Sequence, residues 1–189
     1  MADDEKYLDK ETSAEKVVAE GALSASVALS TSVSAEMALQ DEALKSFIRS
    51  MFFGRQELAR DDIATAREFF IDALNAAIVL RDVHPLYYAQ VQIELASIYM
   101  LDGDPESAIC FLFDVLPIYE NVYPRTHHSM LDMYHLVANA HHLYGMLAEA
   151  KHWYELTLMN MAHLALDNVD KKIVVENYAN LLEECRRAA

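Results

Sequence analysis

Turn-forming and cross-linking residues are scarce in this chain. Its 189 residues include four Gly, four Pro and two Cys. With 53% hydrophobic residues, so few Gly and Pro favour long helices over many tight reversals and exclude disorder throughout. Cys110 and Cys185 form neither a metal-ligand cluster nor the dense disulfide framework of a small secreted domain, which points to a reducing compartment. Positive charge is also short, with 15 basic against 30 acidic residues and a formal net charge of -15, so the mean field repels nucleic acid phosphates and anionic membrane. No long hydrophobic run occurs. The least charged stretch, residues 21 to 40, has one ionisable residue, Glu36, but carries five Ser and one Thr, too polar to span a bilayer. Seven acidic residues in the first twenty are the opposite of a signal or transit peptide, and the expected location is the cytoplasm.

What is there is a repeat. Three segments align without a gap: GRQELARDDIATAREFFIDA from Gly54, ASIYMLDGDPESAICFLFDV from Ala96 and ANAHHLYGMLAEAKHWYELT from Ala138, each 42 residues after the last. Gly54, Ala96 and Ala138 coincide, then Asp61, Gly103 and Gly145, then Ala66, Ala108 and Ala150, then Phe70, Leu112 and Tyr154. A small residue lets one helix approach its partner. Gly or Asp fits a tight turn where positive φ is expected and a side chain can cap the next helix; Ala lets that helix pack; the large residue fills the gap.

This pattern resembles the tetratricopeptide repeat (TPR), and the 42-residue unit resembles the longer-helix form of kinesin light chains. His84-Pro85 is similar to the His-Pro that opens units in that group. The resemblance covers residues 44 to 187 and implies an all-α fold, a right-handed α-solenoid of antiparallel helix pairs. Repeats are expected at about 44–84, 85–126 and 127–168, with a C-terminal capping helix at 170–187. The expected A and B helices run 42–59 and 62–80, 86–101 and 105–121, 128–143 and 147–164. Pro105 suits a first helical position, whereas Pro117 should kink its helix or end it early. In the last segment Tyr178, Ala179 and Leu182 are placed on the buried stripe, with Arg186 and Arg187 at the favourable end of the helix dipole. Residues 1–40, acidic and then Ala/Ser-rich, stand outside the repeat domain at 41–189. They form a capping helix with Leu29, Val33 and Met37 as its stripe, a mobile tail, or an extension that folds on binding.

No catalytic constellation is present, and no enzyme, cofactor or metal is expected. There is no GxSxG and no phosphate-binding Gly loop, and Cys110 beside Ala108 fits packing better than an activated thiolate. Eight histidines invite a metal assignment, and His135 and His142 share a helix face, but no HExxH or CxxC accompanies them, so hydrogen-bonding imidazoles are the better assignment. Their number on an acidic scaffold suggests pH sensitivity near neutrality. Phe69, Phe70, Trp153 and Tyr154 are expected in the core, and Met51, Met100, Met133 and Met146 as gap-fillers.

The resemblance further implies that A helices line a concave face holding a partner peptide or helix. Carried onto this sequence, the groove positions are Arg55, Gln90, Glu94, Ser97, Asp132, His135, Asn139, His142 and Asn177. They are polar and mixed. The Lys and Asn pattern with which chaperone-binding members clamp a terminal carboxylate is absent, and so is the basic groove with which kinesin light chains take acidic peptides. The expected function is a non-catalytic scaffold or adaptor, with a basic partner as the electrostatic preference. The alternatives are a spacer in a cytoskeletal or ciliary assembly and a regulatory part of a larger enzyme complex. Self-association is expected at the open edge of the last helix.

Overall fold

The computed structural model describes the backbone of residues 4–162 and 169–188 and the side chains of 31–162 and 171–188. Seven helices and no strand make up the described residues: α1 (Asp4–Leu58), α2 (Ile63–Leu80), α3 (Pro85–Leu101), α4 (Pro105–Val122), α5 (His128–Tyr144), α6 (Leu147–Met161) and α7 (Val169–Ala188). Two units result, Met1–Glu42 and Ala43–Ala189. In the first, α1 begins at Asp4, far ahead of the start expected at residue 42, and Val33 and Met37 are exposed. The side chain of Leu29 lies outside the described residues.

In the second unit each helix from α2 onward packs on the next in the chain, and α5 also touches α7. The turns show how the sequence does this. Among the described residues, positive φ occurs at Asp61 (65°), Gly103 (77°) and Gly145 (83°), the three aligned turn positions. Around each, the same two backbone bonds close the preceding helix. The amides of Asp61, Gly103 and Gly145 donate to the carbonyls of Leu58, Met100 and His142; those of Asp62, Asp104 and Met146 donate to Glu57, Tyr99 and His141, all at 2.9–3.2 Å. This is the Schellman closure, which needs a left-handed residue. The following residue caps the next helix: Asp62 accepts from the Thr65 amide at 3.0 Å and Asp104 from the Ser107 amide at 3.1 Å. The capping side chain is thus one position beyond the turn residue that was expected to supply it. Met146, third in this register, makes no such bond.

The small and large positions meet in the core. Gly54 is buried, Ala96 and Ala138 are fully so, and Phe70, Leu112 and Tyr154 are at most 1% exposed. A Cβ built on Gly54 would lie 2.7 Å from Cε1 of Phe70, closer than carbon atoms approach. The third repeat carries Ala138 with Tyr154 at the aligned positions, so the close contact reflects where the Phe70 ring sits and not an aromatic residue as such.

α4 runs through Pro117 to Val122, so of the two outcomes expected there the early end does not occur. Two expectations need correction. Cys110 is exposed, not packed: two residues from buried Ala108, it lies about 200° further round the helix. In α7 the buried residues are Val174 and Leu181, with Tyr178 partly buried and packed against them, whereas Ala179 is exposed. At the 42-residue register, buried Met130, Tyr134, Ala138 and His141 of α5 become Lys172, Glu176, Asn180 and Glu183, all exposed. The outer face of α7 is therefore polar.

Two substitutions test this account. Gly54→Ala should lower stability although Ala is favoured over Gly in helices by about 1 kcal/mol, because overpacking costs about 1–3 kcal/mol. Its cost should shrink in a Phe70→Leu background, which reproduces the second repeat's pair; a urea-unfolding double-mutant cycle measures both. Met146→Asp should add the missing cap and raise stability by about 1 kcal/mol by the same measurement.

Candidate functional site

Helices α1, α3, α5 and α7 stand side by side along one face. Arg55 Nε on α1 donates to Glu94 Oε1 on α3 at 2.6 Å, and Phe47 meets Tyr87 with ring centroids 4.8 Å apart. Asn177 on α7 reaches His135 (3.1 Å) and Asn139 (3.3 Å) on α5, and His142 Nε2 lies 3.2 Å from Glu184 Oε2.

Two cavities open on this face. One, of about 490 Å³, is lined by Phe47, Ile48, Met51, Phe52, Arg55, Gln56 and Gln90. The other, of about 590 Å³, is lined by Ser97, Met100, Leu101, Asn139, Leu143 and Asn177. Five of the nine residues singled out from the sequence thus line a cavity: Arg55 and Gln90 the first, Ser97, Asn139 and Asn177 the second. Glu94 is 18% exposed and ties Arg55 down. His135 and His142 sit behind, facing α7. Asp132 is exposed on α5, near enough to Tyr119 for its charge to act on that hydroxyl, and lines neither cavity.

Sequence reasoning missed the apolar half of the lining. Ile48 is 57% exposed, Phe52 63%, and Leu101 and Leu143 each 62%. A signal was present: Leu101 and Leu143 are 42 apart, each two residues before its turn glycine. A leucine repeated at that register, where the chain is about to turn at the surface, is not there for the core.

Two further imidazoles have structural tasks. His127 Nδ1 accepts from the Ser129 amide at 3.2 Å, and buried His141 places Nδ1 2.8 Å from the Val137 carbonyl. Among the described residues no three His, Cys, Asp or Glu side chains could hold a metal ion together; His163 lies outside them. Of the four methionines expected as gap-fillers, Met51 and Met133 are buried, Met100 packs against the core while lining a cavity, and Met146 is 36% exposed.

No family model matches the sequence, and no curated protein does. Solved structures do. One contains the nearly identical TPR-like repeats of a Podosopora anserina kinesin light chain, 24% identical, covering 72% of this chain with a TM-score of 0.63; a single-residue variant of it matches equally. This chain is a TPR-like repeat solenoid, similar in fold to that kinesin light chain. It spans 65% of the length of the solved chain. In TPR-like terms α1, α3 and α5 are the A helices of three units, α2, α4 and α6 the B helices, and α7 takes the A position that follows. No described helix is long and apolar enough to cross a membrane.

Beneath the second cavity, the Tyr154 hydroxyl donates to Asn139 Oδ1 at 2.6 Å. Burial, helped by the charge of Glu184, pushes this phenol up to about 12, and burial with the charges of Tyr123, Asp132 and Glu94 does the same for Tyr119. Unfolded tyrosine ionises near pH 10. Below that both states hold the proton and the stabilisation is complete. Between pH 10 and 12 the unfolded state ionises first, so stability should fall over this window. Tyr154→Phe should lessen that fall, as read from urea midpoints at pH 8 and pH 11.

Proposed function

We propose that the chain is a non-catalytic interaction scaffold whose A-helix face holds a segment of a protein partner. The observation that carries this is the pair of cavities, each combining exposed apolar side chains with hydrogen-bonding groups. Such a combination offers burial for affinity and polar groups for orientation. Four large apolar residues more than half exposed along one face would otherwise cost solubility without return.

The partner's contact residues are apolar and uncharged at the second cavity, whose lining has no ionisable side chain. At the first, Glu94 takes Nε of Arg55 and positions its guanidinium, and the Arg55 side chain remains 59% exposed. Away from the cavities the net charge of -15 favours a partner with flanking Lys or Arg, drawn in faster at low salt. A cytoplasmic location fits this role. Self-association through α7 would have to use a surface on which Ile173 and Val175 stand exposed among Lys172, Glu176, Asn180 and Glu183.

Random peptides displayed on phage and selected on the intact chain test the proposal. Binders should weaken at least about tenfold on the double variant Leu101→Lys, Leu143→Lys, since burying one leucine contributes about 1.5–3 kcal/mol. Both positions are exposed, so the variant should keep its thermal midpoint. Equal binding to both proteins would move the site elsewhere.

A further inference from the structure

We infer that the chain associates with a second copy of itself through two different surfaces: the outer side of α1 from Lys45 onward docks on the outer face of α4 and α6 of the other copy. This does not depend on the groove function proposed above.

The receiving surface is acidic around an aromatic centre. On α4, Glu106, Phe113 and Glu120 stand at i, i+7 and i+14, one row along the helix, and all three are exposed. Trp153 of α6 meets Phe113 edge to face with ring centroids 5.9 Å apart, and exposed Glu149 stands one turn before that Trp. α4 has no Lys or Arg, and the one Lys of α6, Lys151, pairs with Glu155. Glu106, Glu120 and Glu149 form no ion pair among the described residues. Arg125, beyond the end of α4, acts with Glu120 on the Tyr134 hydroxyl and closes the acidic row.

The docking surface has the same spacing and the opposite charge. Lys45, Phe52 and Arg60 stand at i, i+7 and i+15, with Arg49 and Phe53 between them, so both rows are about 21–22 Å long. Lys45, Arg49, Phe52 and Phe53 share one side of α1, about 150° round the helix from buried Ala43, Phe47 and Gly54. Phe52 is 63% exposed, and Arg60 remains 60% exposed while its guanidinium bonds Glu57. Leu95 and Val137, aligned with Phe53 in the later units, are at most 3% exposed against the unit before; Phe53, with no repeat before it, is 37% exposed. Residues 45–60 hold four Lys or Arg and one acid in a chain of net charge -15, so the complement of the acidic face is in the chain itself. Of the docking residues only Phe52 also lines the first cavity.

A contact between two different surfaces does not close on a two-fold axis, so copies add one after another. The net charge opposes their approach, but at about 0.15 M salt that repulsion is screened beyond about 8 Å, whereas pairs in contact keep most of their attraction. Association is therefore weak and depends on concentration.

Sedimentation equilibrium of the intact chain at that salt, up to about 1 mM, should give a mass that rises past twice 21.4 kDa. The variant Lys45→Gln, Arg49→Gln loses the docking surface and Phe113→Ser, Glu120→Gln the receiving one; each should stay at the monomer mass. Lys171→Gln, Lys172→Gln on α7 makes the same change in net charge as the first variant and should associate as the intact chain does. Mixed in equal amounts, the first two variants each keep the surface the other lost, and the mixture should stop at two chains. Thermal melting checks that all three fold. An intact chain that stays monomeric or stops at a dimer, single variants that still associate, or a mixture that does not, overturns the inference.

Discussion

Everything in the repeat unit depends on reversing a helix within two to four residues, and each of the three turns does so through a left-handed residue. Asp61, Gly103 and Gly145 supply it at a constant interval, each closing one helix with the same two hydrogen bonds. With the reversal fixed, Ala66, Ala108 and Ala150 arrive at the same place on the following helix, and their amides bond the residue just after the turn at 2.9–3.3 Å. The small and large side chains then meet without adjustment. The first repeat uses Asp at positive φ, where a side chain strains the backbone, and it also needs Gly54 to clear Phe70.

The groove is a product of that regularity. Because every unit turns at the same register, equivalent positions on α1, α3 and α5 fall into rows. Arg55, Ser97 and Asn139 are one such row, and their different chemistry gives each stretch of the face its own character. Near Arg55 an ion pair with Glu94 links two helices at the surface, which is worth about 0–1 kcal/mol and serves position more than stability. Near Asn139 the cavity lining carries no ionisable side chain, and Asn139 links Tyr154 beneath it to Asn177 on α7. The last helix is thus part of the site.

Helix limits were legible in the sequence because they are set locally. Turn residue, cap and Pro85 or Pro105 at the helix start place six of the seven helices within a few residues of expectation. The start of α1 was not, since no Gly or Pro interrupts residues 22 to 53 and the resemblance begins only at 44. The polar lining was legible through the register that the resemblance supplied. The apolar lining was not, because a leucine in a helix is ordinarily assigned to the core, and only its exposure shows otherwise. Ala179 was misplaced for a related reason, while Leu182 is half-buried at the edge of the stripe. A helix that packs on one side only buries a narrower stripe, and Val174 and Leu181 occupy it.

The account stands most directly on where a bound segment lies. Peptides carrying a photoreactive benzoylphenylalanine, cross-linked to the intact chain and mapped by mass spectrometry, locate it. Cross-links concentrated on Phe52, Met100, Leu101 and Leu143 are the predicted result. Cross-links on exposed residues of the B helices, such as Ile71, Ile78 or Phe113, would contradict a partner-binding face built from the A helices.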